Sequence, residues 1–169
     1  APVEEQKELI EWGQSHLPEH FDKEPSEMHR WMAERLDRMA DERGTKLNVL
    51  GPRGGAKSTL ATLAYPLREA LEAREPYIWI VSDTRHQAHA HLANLKAELL
   101  ENPLLARDYP KAAGRGPLWR AGAIGLRNGV TIEAFGAGQR LRGRRARQNR
   151  PTLIVCDDLQ NDGHIESAR

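Results

Sequence analysis

The sequence predicts an α/β fold with a central, mostly parallel sheet flanked by helices, and three observations carry that expectation. Short, nearly all-apolar runs at 47–50, 77–81 and 152–156 have the character of strands covered on both faces, which need not alternate polar and apolar residues. The first two runs are each followed by a segment with apolar residues at helical spacing, and strands alternating with helices favour a parallel sheet. Between the first run and its helix lies a glycine-rich turn, Gly51-Pro52-Arg53-Gly54-Gly55-Ala56-Lys57-Ser58-Thr59.

Taken in order, the chain opens with an acidic helical lead over 1–42, and the core follows over 43–169. Helices are predicted over 3–16 and 26–42. In the second, Met28, Trp31, Met32, Arg35, Leu36 and Met39 recur at helical spacing, with Pro25-Ser26 as stop and cap. The linker at 18–25 is acidic, and Gly44 punctuates the chain before a strand over 46–50. A helix over 57–73 sets Leu60, Leu63, Leu67 and Leu71 on one face and should kink or restart at Pro66. After the strand over 77–81, Ser82-Asp83-Thr84 caps a helix through a Thr84/Gln87 capping box. Ala88, Leu92, Leu95 and Leu99 form its apolar stripe, and Asn102-Pro103 ends it. Residues 103–117 read as loop. Runs over 118–126 and 130–135 flank Arg127-Asn128-Gly129, a hairpin signal. The last strand, 152–156, runs into Asp157-Asp158.

Composition limits the function classes. The 169 residues are 39% hydrophobic and 29% charged, with a mean hydropathy of −0.68, as in a soluble globular protein. No apolar run reaches membrane-spanning length, and the acidic N-terminus is unlike a signal peptide. The lone Cys156 cannot form an internal disulfide, which suits a reducing cytoplasm, and it is expected to pack as a small buried apolar residue. Trp12, Trp31, Trp79 and Trp119 are expected in the core or half-buried. At 5% aromatics there is no stacking platform for single-stranded nucleic acid. The net charge of +1 conceals an asymmetry: residues 1–42 hold 12 acids against 5 bases, residues 43–169 hold 12 against 20. An acidic lead and a basic body point to a polyanion as partner, nucleotide or nucleic acid.

Strand, glycine-rich loop and helix form the setting of a phosphate-binding loop. Glycines let successive backbone N–H groups converge on one anion, and the helix N-terminus adds its dipole. Lys57 can reach the β- and γ-phosphates, and the Ser58 hydroxyl can ligate Mg²⁺. Ala56 replaces the glycine that usually precedes the lysine, and Gly54 and Gly55 can take up the unusual torsions. A glycine-rich turn with an incidental Lys-Ser is the competing reading.

An apolar strand ending in two carboxylates, downstream of such a loop, would complete an ATPase site at the carboxyl edge of the sheet. Asp157 would hold Mg²⁺, and Asp158 would orient the attacking water. A strand followed by a solvated acidic turn is the alternative. Residues 136–150 contain Arg140, Arg142, Arg144, Arg145, Arg147 and Arg150 and no acid. An arginine finger, DNA-backbone contacts and a solvated basic loop all stand open for them. Arg53 could also touch the γ-phosphate. His86, His89 and His91 do not share one helical face, and no acid completes a metal set with them, so exposed helix histidines are expected.

Four stretches in order carry a family resemblance: 51–60, then Ile80-Val81-Ser82-Asp83-Thr84 with Gln87-Ala88, then 138–143 (Gly-Gln-Arg-Leu-Arg-Gly), then 150–159. Together they make most of residues 26–165 resemble the large terminase subunit of tailed bacteriophages. The resemblance implies a RecA-like P-loop NTPase of the additional-strand, catalytic-glutamate type. Its activity would be ATP hydrolysis that drives double-stranded DNA through a portal protein into a procapsid. It implies ATP and Mg²⁺ as cofactors, a small terminase subunit and the portal as partners, a ring homo-oligomer on the portal, and the host cytoplasm as location.

By the same resemblance, Lys57, Ser58 and Asp157 match the nucleotide and Mg²⁺ residues, and Asp158 stands where the family more often has glutamate. Arg142 matches the arginine finger, and the region 25–31 falls where the family packs against adenine. Gln160 stands where relatives with this ending often carry glutamate. The coupling motif, the last strands of the ATPase sheet and the C-terminal nuclease domain are not found, so the expectation is a fragment ending after the Walker B strand. Alone it would be weakly active or inactive. Competing expectations are another P-loop ATPase, helicase-like or kinase-like, or a nucleotide- or DNA-binding fragment without turnover.

Overall fold

The computed structural model describes residues 7–44, 47, 59–138 and 150–157. The chain divides into two compact units, residues 1–65 and 66–169.

In the first unit, α1 (Leu9–His16) begins at Leu9, so residues 7 and 8, expected as helix, precede it. It packs on α2 (Glu27–Asp41), with Leu9, Trp12 and Leu17 closing on Met32, Ala33 and Leu36. The amide of Leu9 donates to Asp37 Oδ2 at 3.0 Å, which satisfies an orphan N–H of α1 with a side chain from α2. His16 is buried, stacked on Trp12 at 4.8 Å with Nδ1 3.0 Å from the Trp12 carbonyl. The Ser26 cap forms as expected: its side chain accepts from the His29 amide at 3.3 Å, and its own amide donates to His29 Nδ1 at 3.2 Å. Trp31 corrects the expectation of a core or half-buried residue. It is 43% exposed, with the Arg35 guanidinium 5.4 Å from its ring centroid, because it sits outside the Met32/Leu36 stripe.

The expected break at Pro66 is present. A π-helix over Thr59–Ala64 gives way to α3 (Tyr65–Leu71) one residue before the proline, which has no N–H for the preceding turn.

Among the described residues the second unit is α/β: a four-stranded mixed sheet in the order β2-β3-β1-β4 with helices against it. Strand β1 (Tyr77–Ser82) pairs in parallel with β3 (Thr131–Gly136) on one side and β4 (Leu153–Asp157) on the other. Strand β2 (Ala123–Gly125) pairs antiparallel with β3, which is the expected hairpin with a first strand shorter than 118–126. Shortening follows from a local fold-back, in which Trp119 bridges to Ile124 within the same run. The α4 helix (Arg85–Glu101) lays Ala88, Leu92, Leu95 and Leu99 on β1 and β3. Thr84 caps it by accepting from the Gln87 amide at 3.1 Å.

Two further expectations are corrected. Part of 103–117, read as loop, is a short helix, α5 (Pro103–Asp108). Asn102 Oδ1 caps it by accepting from the Leu104 amide at 2.9 Å, and Pro103 takes the first helical position, where no N–H is needed. Cys156 is exposed rather than buried. In β4 the alternation sends Leu153 and Val155 to one face and Ile154 and Cys156 to the other, and β4 ends the described sheet, leaving Ile154 51% exposed. Among the described residues no helix is long and apolar enough to cross a membrane.

Candidate functional site

Each unit holds a feature of its own. In the first unit a cavity of about 220 Å³ is lined by the 20–26 connection, by Ile10 and His29, and by Thr59, which ends the glycine-rich loop, and Leu60. Phe21, Pro25 and Leu60 supply apolar walls, and Ser26 and His29 supply polar edges. The Phe21 ring is held close to Gly13, where a β-carbon would lie 2.6 Å from it. Such a space suits one planar ring system.

In the second unit the chemistry collects at the carboxyl edge of the sheet. Thr152 leads into β4: its amide donates to the Tyr77 carbonyl at 2.8 Å, and its hydroxyl accepts from the Tyr77 amide at 3.2 Å. The register then brings Asp157 beside Ser82. The Ser82 hydroxyl, fully buried, donates to the Asp157 carbonyl at 2.9 Å and fixes the strand end. Across β1, Gly136 aligns with Ser82 and lies under the first residue of α4.

His91 of α4 reaches this edge. Its Nε2 lies 3.0 Å from Asp157 Oδ2, with the two side chains 19% and 21% exposed. Helical spacing gives the histidines no acid, and the structure supplies one from a strand 66 positions away. The other two point elsewhere. His86 is exposed, and His89 lies over Gly122, where a β-carbon would sit 2.9 Å from its Nε2. Burial, with Arg85, His86 and Lys96 nearby, holds His89 below the ordinary imidazole value. Among the described residues no three of His, Cys, Asp and Glu gather in a way that would hold a metal ion.

Asp157 nevertheless fits Mg²⁺. That ion takes oxygen ligands and is commonly held through one or two carboxylates together with phosphate oxygens and waters. Ser58, the other expected ligand, lies outside the described residues, as do Gly51, Pro52, Arg53, Gly54, Gly55, Ala56, Lys57, Asp158 and Gln160. The same holds for the strand expected over 46–50, apart from Leu47, and for Arg140, Arg142, Arg144, Arg145 and Arg147. Arg150 is described and exposed.

A buried ionic cluster went unnoticed in the sequence. Glu69, 1% exposed, has Arg74 Nη2 2.8 Å from its Oε1. The contact is ionic rather than a well-aligned hydrogen bond, since neither carboxylate oxygen has a partner of hydrogen-bonding geometry. Burial, opposed by Arg74 and reinforced by Glu75 and Glu72, pushes its carboxyl up to about 7. Arg68 donates to Glu72 at 3.0 Å beside it. The cluster closes the end of α3, and its only sequence signal was the density of charge over 68–75. Against protein-family models, curated proteins and solved structures alike, the chain finds no match.

Proposed function

We propose that this chain is the ATPase part of a DNA-packaging terminase large subunit: a P-loop NTPase of the RecA-like, additional-strand type. The observation that carries the reading is Asp157. It stands at the carboxyl end of a parallel strand, beside the end of its neighbour, where α/β sheets bind their ligands. In sequence it closes the series that the glycine-rich loop opens. The cavity beside Thr59 offers a seat for the base within reach of that loop's end.

In this reading the backbone of 51–59 cradles the phosphates, Lys57 draws charge from the β- and γ-oxygens, and Ser58 and Asp157 hold the cation. Mg²⁺, when bound, neutralises phosphate charge. Asp158 orients water for in-line attack, and Arg142 completes the site of a neighbouring subunit in a ring assembled on the portal. The basic stretch at 140–150 meets the DNA backbone. The work takes place in the host cytoplasm.

The test is a thermal-shift titration of the chain with ATP·Mg²⁺, paired with Lys57→Ala. A ligand that binds only the folded state raises the melting temperature by mass action. A rise in the wild type that Lys57→Ala removes is expected, and no response at millimolar ATP would sink the reading. In longer protein that carries the remaining strands, phosphate release stimulated by DNA supports a motor, and transfer to a second acceptor supports a kinase.

A further inference from the structure

We propose that His91 is a positioning residue for the cation site: its Nε2, 3.0 Å from Asp157 Oδ2, holds that carboxylate by charge and proximity in the orientation that ligates Mg²⁺. The inference rests on the nucleotide reading above and assigns to that site a residue outside the loop and the acidic pair.

Three observations support it. The first is that both partners hang from fixed backbone. Asp157 ends a strand paired along its length with β1 and locked by the Ser82 hydroxyl. His91 adjoins Leu92 on a helix whose apolar stripe is 0–3% exposed and whose start is docked on Gly136. The second is partial shielding. With about a fifth of each side chain exposed, the imidazole–carboxylate contact is better protected from water than a surface pair.

The third is capacity. A carboxylate offers about four lone-pair sites, so contact with one imidazole nitrogen is compatible with ligating a cation. Outer partners of this kind orient metal-binding side chains, and their loss typically costs 10–100-fold in metal affinity or activity. A merely structural tie between α4 and β4 would instead be read in thermal stability alone.

The experiment measures binding of a fluorescent ADP analogue to this chain as Mg²⁺ is titrated, and again in EDTA. His91→Leu keeps bulk without a polar group, and His91→Gln restores a polar one. His91→Leu is expected to raise the Mg²⁺ concentration for half-saturation ~10-fold while leaving EDTA binding unchanged, with His91→Gln recovering to within ~3-fold of wild type. Equal Mg²⁺ dependence of wild type and a folded His91→Leu would overturn the proposal.

Should His91→Leu fail to fold, the wild type still decides. The imidazole ¹⁵N signals of His91 are expected to shift when Mg²⁺ joins the ADP complex, and unmoved signals overturn the role. A wild type whose nucleotide binding ignores Mg²⁺, or is absent, overturns the nucleotide reading and this inference together. Failure confined to the His91 variants leaves that reading standing.

Discussion

Gly136 and Arg85 approach so closely that a β-carbon on residue 136 would lie 2.5 Å from the Arg85 amide nitrogen. The end of β3 and the start of α4 thus meet backbone to backbone, with β1 between them and the strand of Asp157. Gly136→Ala forces the helix start off the sheet, because neither side of the contact is a flexible side chain. The expected cost is about 1–3 kcal/mol of stability, read in a denaturant melt. A variant as stable as wild type would mean that this docking is loose.

The end of α3 offers the opposite opportunity. Ala73 has φ +54°, in the left-handed region, where its β-carbon is strained. Two bonds close the turn: the Arg74 amide to the Glu69 carbonyl at 3.0 Å, and the Ala73 amide to the Ala70 carbonyl at 3.2 Å. This is a Schellman ending with alanine where glycine is usual. Ala73→Gly is expected to stabilise by about 0.5–1 kcal/mol, the relieved strain less the added freedom of the unfolded chain. Gly129→Ala, at φ +90° in the hairpin turn, should do the reverse. Melting temperatures that move together would refute the pair.

Glu69 makes stability depend on pH in a known direction. Its folded value of about 7 lies above its ordinary 4.5. The folded state therefore binds the proton more tightly, and the resulting stability is full below pH 4.5 and lost as pH rises through about 7. Glu69→Gln stays neutral throughout. The variant should match wild type near pH 4 and exceed it by pH 8, by roughly 3 kcal/mol at most. Urea melts across that range give the difference, and a gap that does not widen with pH would refute the assignment.

Local rules account for most of what the sequence made legible. Ser26 and Thr84 could be recognised as caps because a side-chain oxygen three residues before an amide is a local arrangement. The strands at 77–81 and 152–156 declared themselves as short apolar runs, and the leucines of α4 by period. What escaped was set by tertiary neighbours. Cys156 lies outside because β4 ends the described sheet, a consequence of strand order rather than of its own residues. Helix α5 hid behind Pro103, which reads as a helix breaker but can equally start one. The Asp157 partner was invisible because α4 and β4 meet only across the sheet. Of the candidate site, the sequence identified the acid and its strand but not the histidine facing it.

The cavity beside Thr59 leads to the last prediction. Its walls, Phe21, Pro25 and Leu60, are apolar, and its volume of about 220 Å³ suits a base rather than a triphosphate. Binding energy should then separate into two parts, with the base held by the cavity and the phosphates by the loop around Lys57. Adenosine alone is expected to raise the melting temperature slightly in wild type and equally in Lys57→Ala, whereas ATP·Mg²⁺ should exceed adenosine only in wild type. Ile10→Trp puts an indole into the cavity from α1 and should weaken both ligands at least ~10-fold, about 1.4 kcal/mol, without lowering the melting temperature of the free protein by a comparable amount. Isothermal titration with adenosine and with ATP on the three proteins measures this directly. Undiminished ATP affinity in Ile10→Trp would place the base elsewhere and leave the phosphate loop to be tested by Lys57 alone.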